Sequence, residues 1–209
     1  MHNHKNMPNP YLFRFLSILC FLTLAMGCSK DNSAPSAIKP RVVNTFAMQV
    51  NGRDWEPGKS GTAECNRTFN AAWSWLDGRP YFNITAYRDP NGNTGAQSNN
   101  ILQLQVMDAD ATGSYALNGS YWESFSSHAV FRATKPDGSR VSYVNKRGSN
   151  TFKLVIDQFT PRPNTMLRGV KGSFSGTLYN EKDPLDSMDI KRGDFVFQRT
   201  NFYDFSQCE

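Results

Sequence analysis

Six aromatic side chains could lay a flat face against a ligand: Trp55, Trp73, Trp75, Tyr81, Tyr121 and Trp122. An indole or phenol ring offers apolar area with an N–H or O–H at its rim, which suits stacking on a sugar ring. Packing competes for the same residues, because aromatic side chains also fill cores built from strands. Alternation separates the two uses. Trp73 and Trp75 share a strand face with Phe69, which predicts core. Tyr121 and Trp122 are neighbours, so in an extended chain they point to opposite sides and one of them faces water. That pair is the candidate ligand platform.

Nucleophilic and metal chemistry have less to work with. His2 and His4 lie at the start of the chain, which leaves His128 as the single histidine of the body. Beside Val130 it reads as a strand residue rather than a catalytic base. Zinc sites draw on several His or Cys, so no metal and no cofactor is expected. Gly172-Ser173-Phe174-Ser175-Gly176 places Phe where a nucleophile elbow needs Ser, and it lies in a strand pattern. Asp108-Ala109-Asp110-Ala111-Thr112-Gly113 begins like a calcium loop, but its twelfth position is Gly119 where Glu is required. A turn rich in Asp, Thr and Gly between two strands is the reading taken instead. Asp108, Asp110, Glu123, Asp157 and Asp194 could supply a glycoside-cleaving carboxylate pair. That chemistry depends on the distance between two carboxyls, which a sequence does not contain.

The cysteines carry the other reactive chemistry. Residues 1–14 are polar, with Lys5 and Arg14 and no acid, and Phe15 to Met26 is a 12-residue apolar run. It ends in Leu24-Ala25-Met26-Gly27-Cys28. A basic start, an apolar middle and a small residue at the cut form a secretory signal, and a cysteine directly after that cut is where a bacterial lipoprotein receives its acyl groups. Twelve residues fall short of the roughly 20 that a spanning helix needs. Cleavage before Cys28 is therefore expected, with an uncleaved anchor as the alternative. Each buried CH₂ contributes about 0.8 kcal/mol, so two or three acyl chains on Cys28 would hold the protein stably at a membrane. Ser29-Lys30-Asp31-Asn32 is similar to the short tag after the lipidated cysteine of surface-exported lipoproteins. Residues 28–40, with Pro and Ser and no apolar periodicity, read as a tether. Cys65 and Cys208 remain as a pair that an oxidising envelope could bridge, a closure of roughly 5 kcal/mol in the chain-entropy model. Two separate thiols are the alternative.

What positions these groups is a chain of strands. Asn51-Gly52 sits between apolar stretches, a strong hairpin signal because both turn residues need positive φ. Phe82, Ile84 and Ala86 alternate with Asn83 and Thr85, and Leu102, Leu104 and Val106 alternate with Gln103 and Gln105. Further strand patterns cover 126–134, 140–144, 151–159, 170–179 and 194–198, separated by Gly-, Pro- and Asp-rich turns. No window carries a helical stripe of ten residues. Asp89 to Asn100, rich in Asn and Gly, is the candidate mobile loop. The fold class expected for residues 41–209 is a single all-β domain, an antiparallel sandwich or barrel-like sheet of roughly nine to eleven strands.

The 209 residues carry 23 Lys and Arg against 18 Asp and Glu, for a net charge of +5. No block of five or six like charges occurs, so no nucleic-acid partner is expected.

Three stretches carry a resemblance. Phe46 to Gly52 with Trp55, then Gly113-Ser114-Tyr115-Ala116-Leu117, then Gly172 to Leu178 followed by Ile190 to Phe197, are similar to motifs of small Bacteroidota lipoproteins known only as domains of unknown function. The resemblance spans about residues 43–199. It implies the fold and the envelope location, with no activity to transfer. An outer-membrane lipoprotein acting as a non-catalytic binding or structural module is the expected function, with a glycan or another envelope protein as partner. A glycan-directed hydrolase using Asp or Glu is the alternative.

Overall fold

The computed structural model describes residues 44–58, 68–91, 93, 95–161 and 168–198. These form eleven strands: β1 (Thr45–Val50), β2 (Arg53–Trp55), β3 (Phe69–Leu76), β4 (Arg79–Arg88), β5 (Asn100–Met107), β6 (Gly113–Ala116), β7 (His128–Thr134), β8 (Arg140–Val144), β9 (Phe152–Pro161), β10 (Arg168–Asn180) and β11 (Ser187–Phe197). Every pairing is antiparallel, and no α-helix is present among the described residues. The all-β expectation holds in its barrel-like form: one curled sheet makes a half-barrel.

The strand order runs β2-β1-β11-β10-β8-β7-β5-β4-β3, with β9 and β6 branching from β10. Tight turns set the local register. Asn51 (φ 49°) and Gly52 (φ 76°) close the β1–β2 hairpin, and Asp77 (φ 50°) and Gly78 (φ 73°) close β3–β4, the left-handed pair a two-residue hairpin turn demands. Alternation does the rest. Phe82, Ile84, Ala86, Leu102 and Val106 are fully buried on the concave face, while Asn83, Thr85, Gln103 and Gln105 stand on the outer one. The ends of the strand order approach each other through that concave face. Phe46 of β1 lies 6.0 Å from Phe69 of β3, and Trp55 of β2 meets Phe131 of β7 edge-on at 5.9 Å.

Curvature is built where β9, β10 and β11 meet. Phe174 lies directly opposite Gly193, and Phe195 opposite Gly172, so each ring covers a glycine on the neighbouring strand. A Cβ on Gly193 would stand 2.5 Å from the Phe174 ring, and one on Gly172 2.6 Å from Phe195. In β11 two residues oppose one at Lys191–Arg192, with Arg192 at φ 50°, and both neighbouring strands register the same bulge. Such a bulge bends and twists its strand.

Two sequence expectations change. Trp73 is buried and donates to the Ala109 carbonyl at 2.8 Å, but Trp75 is 52% exposed and leans edge-on against Trp73. It stands opposite Pro80 beside the turn, where the strand has run past the core. The Asp89–Asn100 loop is organised by a buried carboxylate. Asp89 accepts from the backbone N–H groups of Asn91 at 2.8 Å and Asn99 at 3.1 Å. Burial pushes that carboxyl up, but these donors outweigh it and hold it below the usual range.

Candidate functional site

The site rests on residues 117–127, which join β6 to β7 with no strand of their own. Their backbone groups are satisfied partly by bonds within the segment and partly by neighbouring strands and side chains. Leu117 is fully buried and its N–H donates to Phe152 at 2.9 Å. Gly119 donates to the Ser127 carbonyl at 2.8 Å. It leaves no room for a side chain, since a Cβ there would stand 2.6 Å from that of Ser126. Asn145, buried just after β8, fastens the segment to the sheet. Its Oδ1 accepts from the Ala129 N–H at 2.7 Å, and its Nδ2 donates to the Gly119 carbonyl at 2.8 Å. From the other side Gln105 Nε2 donates to the carbonyls of Ser124 at 2.9 Å and Ser126 at 3.0 Å. Ser126 Oγ donates to the Ser120 carbonyl.

This frame presents Tyr121 and Trp122 as a close, tilted pair, ring centroids 4.3 Å apart and planes 35° from parallel. Glu181, just past β10, holds both. It accepts from the Tyr121 hydroxyl at 3.0 and 3.1 Å and from Trp122 Nε1 at 2.9 Å. The Arg132 guanidinium lies 5.6 Å from the Tyr121 ring centre, within cation–π range, and donates to Gln103 Oε1 at 2.6 Å. Trp122 nevertheless stays 74% exposed.

The surroundings set the protonation states. Burial, then the Glu181 carboxylate, push the Tyr121 hydroxyl up to about 12, while Arg132 pulls the other way. His128, half buried at the start of β7, is pulled below its ordinary value by burial and by Arg132, against a contact of 3.1 Å with the Ser126 carbonyl. Tyr121 is thus a neutral hydroxyl and His128 a neutral imidazole at pH 7.

Three hollows meet at the aromatic pair. One of about 390 Å³ lies toward Val144, Arg147, Tyr179 and Pro184. A second of about 600 Å³ is walled by Arg132, Lys135, Arg140 and Lys182. The third, about 500 Å³, runs over the outer face of β4, β5 and β7. There the register sets Asn83 beside Gln105 and His128, and Thr85 beside Gln103. Amides, a hydroxyl and aromatic rings lining one hollow suit hydrogen bonding to a polyhydroxylated ligand.

Tyr121 and Trp122, the pair expected from the sequence, lie together at this junction. Cys28, Cys65 and Cys208 lie outside the described residues. Asp108 and Asp110 form no metal site: the Arg79 guanidinium takes the Asp108 carboxylate and holds it below the usual carboxylate range. No group of three or more His, Cys, Asp or Glu placed to hold a metal occurs among the described residues. Gly172 to Gly176 is part of β10, as its pattern implied. Glu181, Arg132 and Asn145 were missed. Glu181 and Asn145 sit just beyond strand ends without a motif, and Arg132 reads as an ordinary outward strand residue.

The model of one protein family, described as a domain of unknown function (DUF5025), matches residues 43–198. The chain belongs to that family. No curated protein and no solved structure matches it. The DUF5025 match covers the strands and the residues of the aromatic junction, which is therefore part of the family domain rather than an appendage.

The Glu181 contact predicts a titration. A tyrosine that holds its proton more tightly when folded adds stability below its ordinary value of about 10, and loses that contribution as pH rises through about 12. Ultraviolet difference titration of the wild type against Tyr121→Phe isolates this group among the eight tyrosines. In a Glu181→Gln background the same subtraction gives a lower pKa for Tyr121. An unchanged value would show that the carboxylate does not act on the phenol.

Proposed function

We propose that this protein is an envelope lipoprotein, anchored at the outer membrane and facing the cell surface through acyl groups on Cys28, whose β domain binds carbohydrate at the Tyr121–Trp122 junction without cleaving it. The observation that carries the binding reading is Trp122: a large indole fixed by a ring contact with Tyr121 and by a hydrogen bond, yet 74% exposed. One face lies toward Tyr121, which leaves the other for a ligand. A ring held in place beforehand loses little side-chain freedom when a ligand stacks on it. The adjoining outer face supplies polar groups at the right density. Asn83 and Thr85 have no side-chain hydrogen-bond partner among the described residues, and Gln103 keeps its amide N–H groups beside them.

The charge arrangement favours holding over hydrolysis. Cleavage by paired carboxylates needs two of them about 5 to 9.5 Å apart. Among the residues that line the three hollows, Glu181 is the sole carboxylate, and its oxygens already accept the Tyr121 and Trp122 donors. The anchoring part of the proposal rests on the sequence around Cys28 and on the tag that follows it.

Two measurements address these parts separately. A glycan array probed with the full chain in detergent should yield a defined set of bound sugars, and Trp122→Ala should weaken each by about tenfold or more, the loss of roughly 1.4 kcal/mol of stacking. No bound glycan, or binding indifferent to Trp122→Ala, would remove the carbohydrate reading. Mass spectrometry of the protein extracted from bacterial membranes should find an amino-terminal Cys28 carrying acyl chains; an intact, unmodified amino terminus would remove the anchor.

A further inference from the structure

The second hollow differs in charge from its neighbours. Arg132, Lys135, Arg140 and Lys182 line it, against Glu181 alone. They come from β7, the turn after it, β8 and the turn after β10, so the fold gathers what the sequence disperses. None of the four forms an ion pair among the described residues, where the pairs are Arg79–Asp108, Arg147–Glu123 and Lys191–Asp189.

The acids nearest the hollow offset part of its charge, but hydrogen bonds to neutral donors hold them in place, and among the described residues none forms an ion pair with the four cations. Glu181 is held by Tyr121 and Trp122. Asp137 and Asp186 lie within electrostatic reach of Lys135. Asp137 accepts from Ser139, and Asp186 from Tyr143 at 3.0 Å and Asn180 at 2.8 Å. The two arginines are positioned in advance. Arg132 donates to Gln103 and Arg140 to the Ala96 carbonyl, and each guanidinium keeps further N–H groups of its five. A fixed guanidinium fork matches the paired oxygens of a carboxylate, sulfate or phosphate. Tyr121 and Trp122 form part of the same wall, so an anion held there belongs to a ligand already in contact with the rings.

We infer that this hollow is an anion subsite, and that the ligand is an acidic glycan: one sugar ring packs on Trp122 while a carboxylate or sulfate substituent enters among Arg132, Lys135, Arg140 and Lys182. The inference rests on the carbohydrate reading above and narrows its ligand class. Cationic walls around a hollow raise the local concentration of anions and accelerate their arrival, and salt weakens the attraction over a Debye length of about 8 Å at physiological ionic strength.

Matched probes separate charge from sugar. Binding of the full chain in detergent is measured at low salt to dextran and dextran sulfate, and to polygalacturonate and its methyl ester, with polyglutamate as an acidic polymer without sugar. At least one charged glycan should bind tenfold or more tighter than its uncharged twin, and tighter than polyglutamate. Which twin pair responds identifies sulfate or carboxylate. The preference should vanish in Lys135→Gln/Lys182→Gln, a change at two exposed side chains, and persist in Lys153→Gln/Lys171→Gln, the same charge change at exposed positions on β9 and β10. It should fall with added salt, and Trp122→Ala should weaken the charged glycan as well. Equal binding of twins that remains sensitive to Trp122→Ala would overturn the anion subsite and leave the carbohydrate reading standing. Charge-selective binding indifferent to Trp122→Ala, or matched by polyglutamate, would overturn the carbohydrate reading and this inference with it. No binding to any charged probe would overturn the subsite.

Discussion

Asn145 is the joint on which the candidate site depends. Residues 117–127 contribute no strand to the sheet, so the position of Tyr121 and Trp122 is set by what holds the segment's backbone. One buried side chain reaches both sides of the gap. Its oxygen takes the Ala129 N–H at the start of β7, and its nitrogen gives to the Gly119 carbonyl in the segment. The Asn145 N–H also donates to Ala129 at 3.2 Å. Each such bond contributes about 1 kcal/mol net, but a buried group left without its partner costs about 1–3 kcal/mol. The asymmetry makes this residue difficult to replace, because no other side chain of similar size presents a donor and an acceptor at those two points.

The second requirement is the fork in the sheet. β10 pairs with β9 through Gly176 and then with β8 at Tyr179 and Asn180. Gly176 lies at the parting, at φ 153°, with the Thr151 carbonyl 2.2 Å from where a Cβ would stand. Only a glycine lets the strands approach that closely there. Beyond the fork, Asn180 to Lys182 arrive beside the segment that Asn145 holds. Glu181 can then reach both aromatic donors, and Lys182 completes the basic wall. The same strand that builds the curled core thus delivers the carboxylate that steadies the exposed rings.

Parts of this were legible in the sequence for a physical reason, and parts were not. β4 and β5 carry unbroken alternation because one face is buried and the other is wet, so their inward residues could be read directly. β11 hides its first half. Its buried residues are Met188 and Ile190, then Gly193, Phe195 and Phe197, and the bulge at Lys191–Arg192 shifts the phase by one residue between them. A period-two reading therefore starts only after the bulge. β6 has four residues and none buried, so it leaves no periodic trace. Tyr121 and Trp122 stood out because neighbours in an extended chain point to opposite sides, but the segment is a turn and both rings lie on the same side, 4.3 Å apart, with Trp122 exposed. Their partner Glu181 is about 60 residues away and has no local signature. The four cations are dispersed along the chain, and the sheet gathers them across it.

The aromatic pair is held in place before any ligand arrives. Amide hydrogen exchange of the ligand-free full chain, compared with its Asn145→Ala variant, tests that most directly. In the wild type the Gly119 amide should exchange as slowly as those in the middle of β7, since Asn145 holds the Gly119 peptide where its N–H meets the Ser127 carbonyl. In the variant the Gly119 amide should exchange at the rate of an exposed turn while β4 and β5 keep their protection. Rapid exchange at Gly119 in the wild type, or slow exchange that survives the loss of Asn145, would contradict the account.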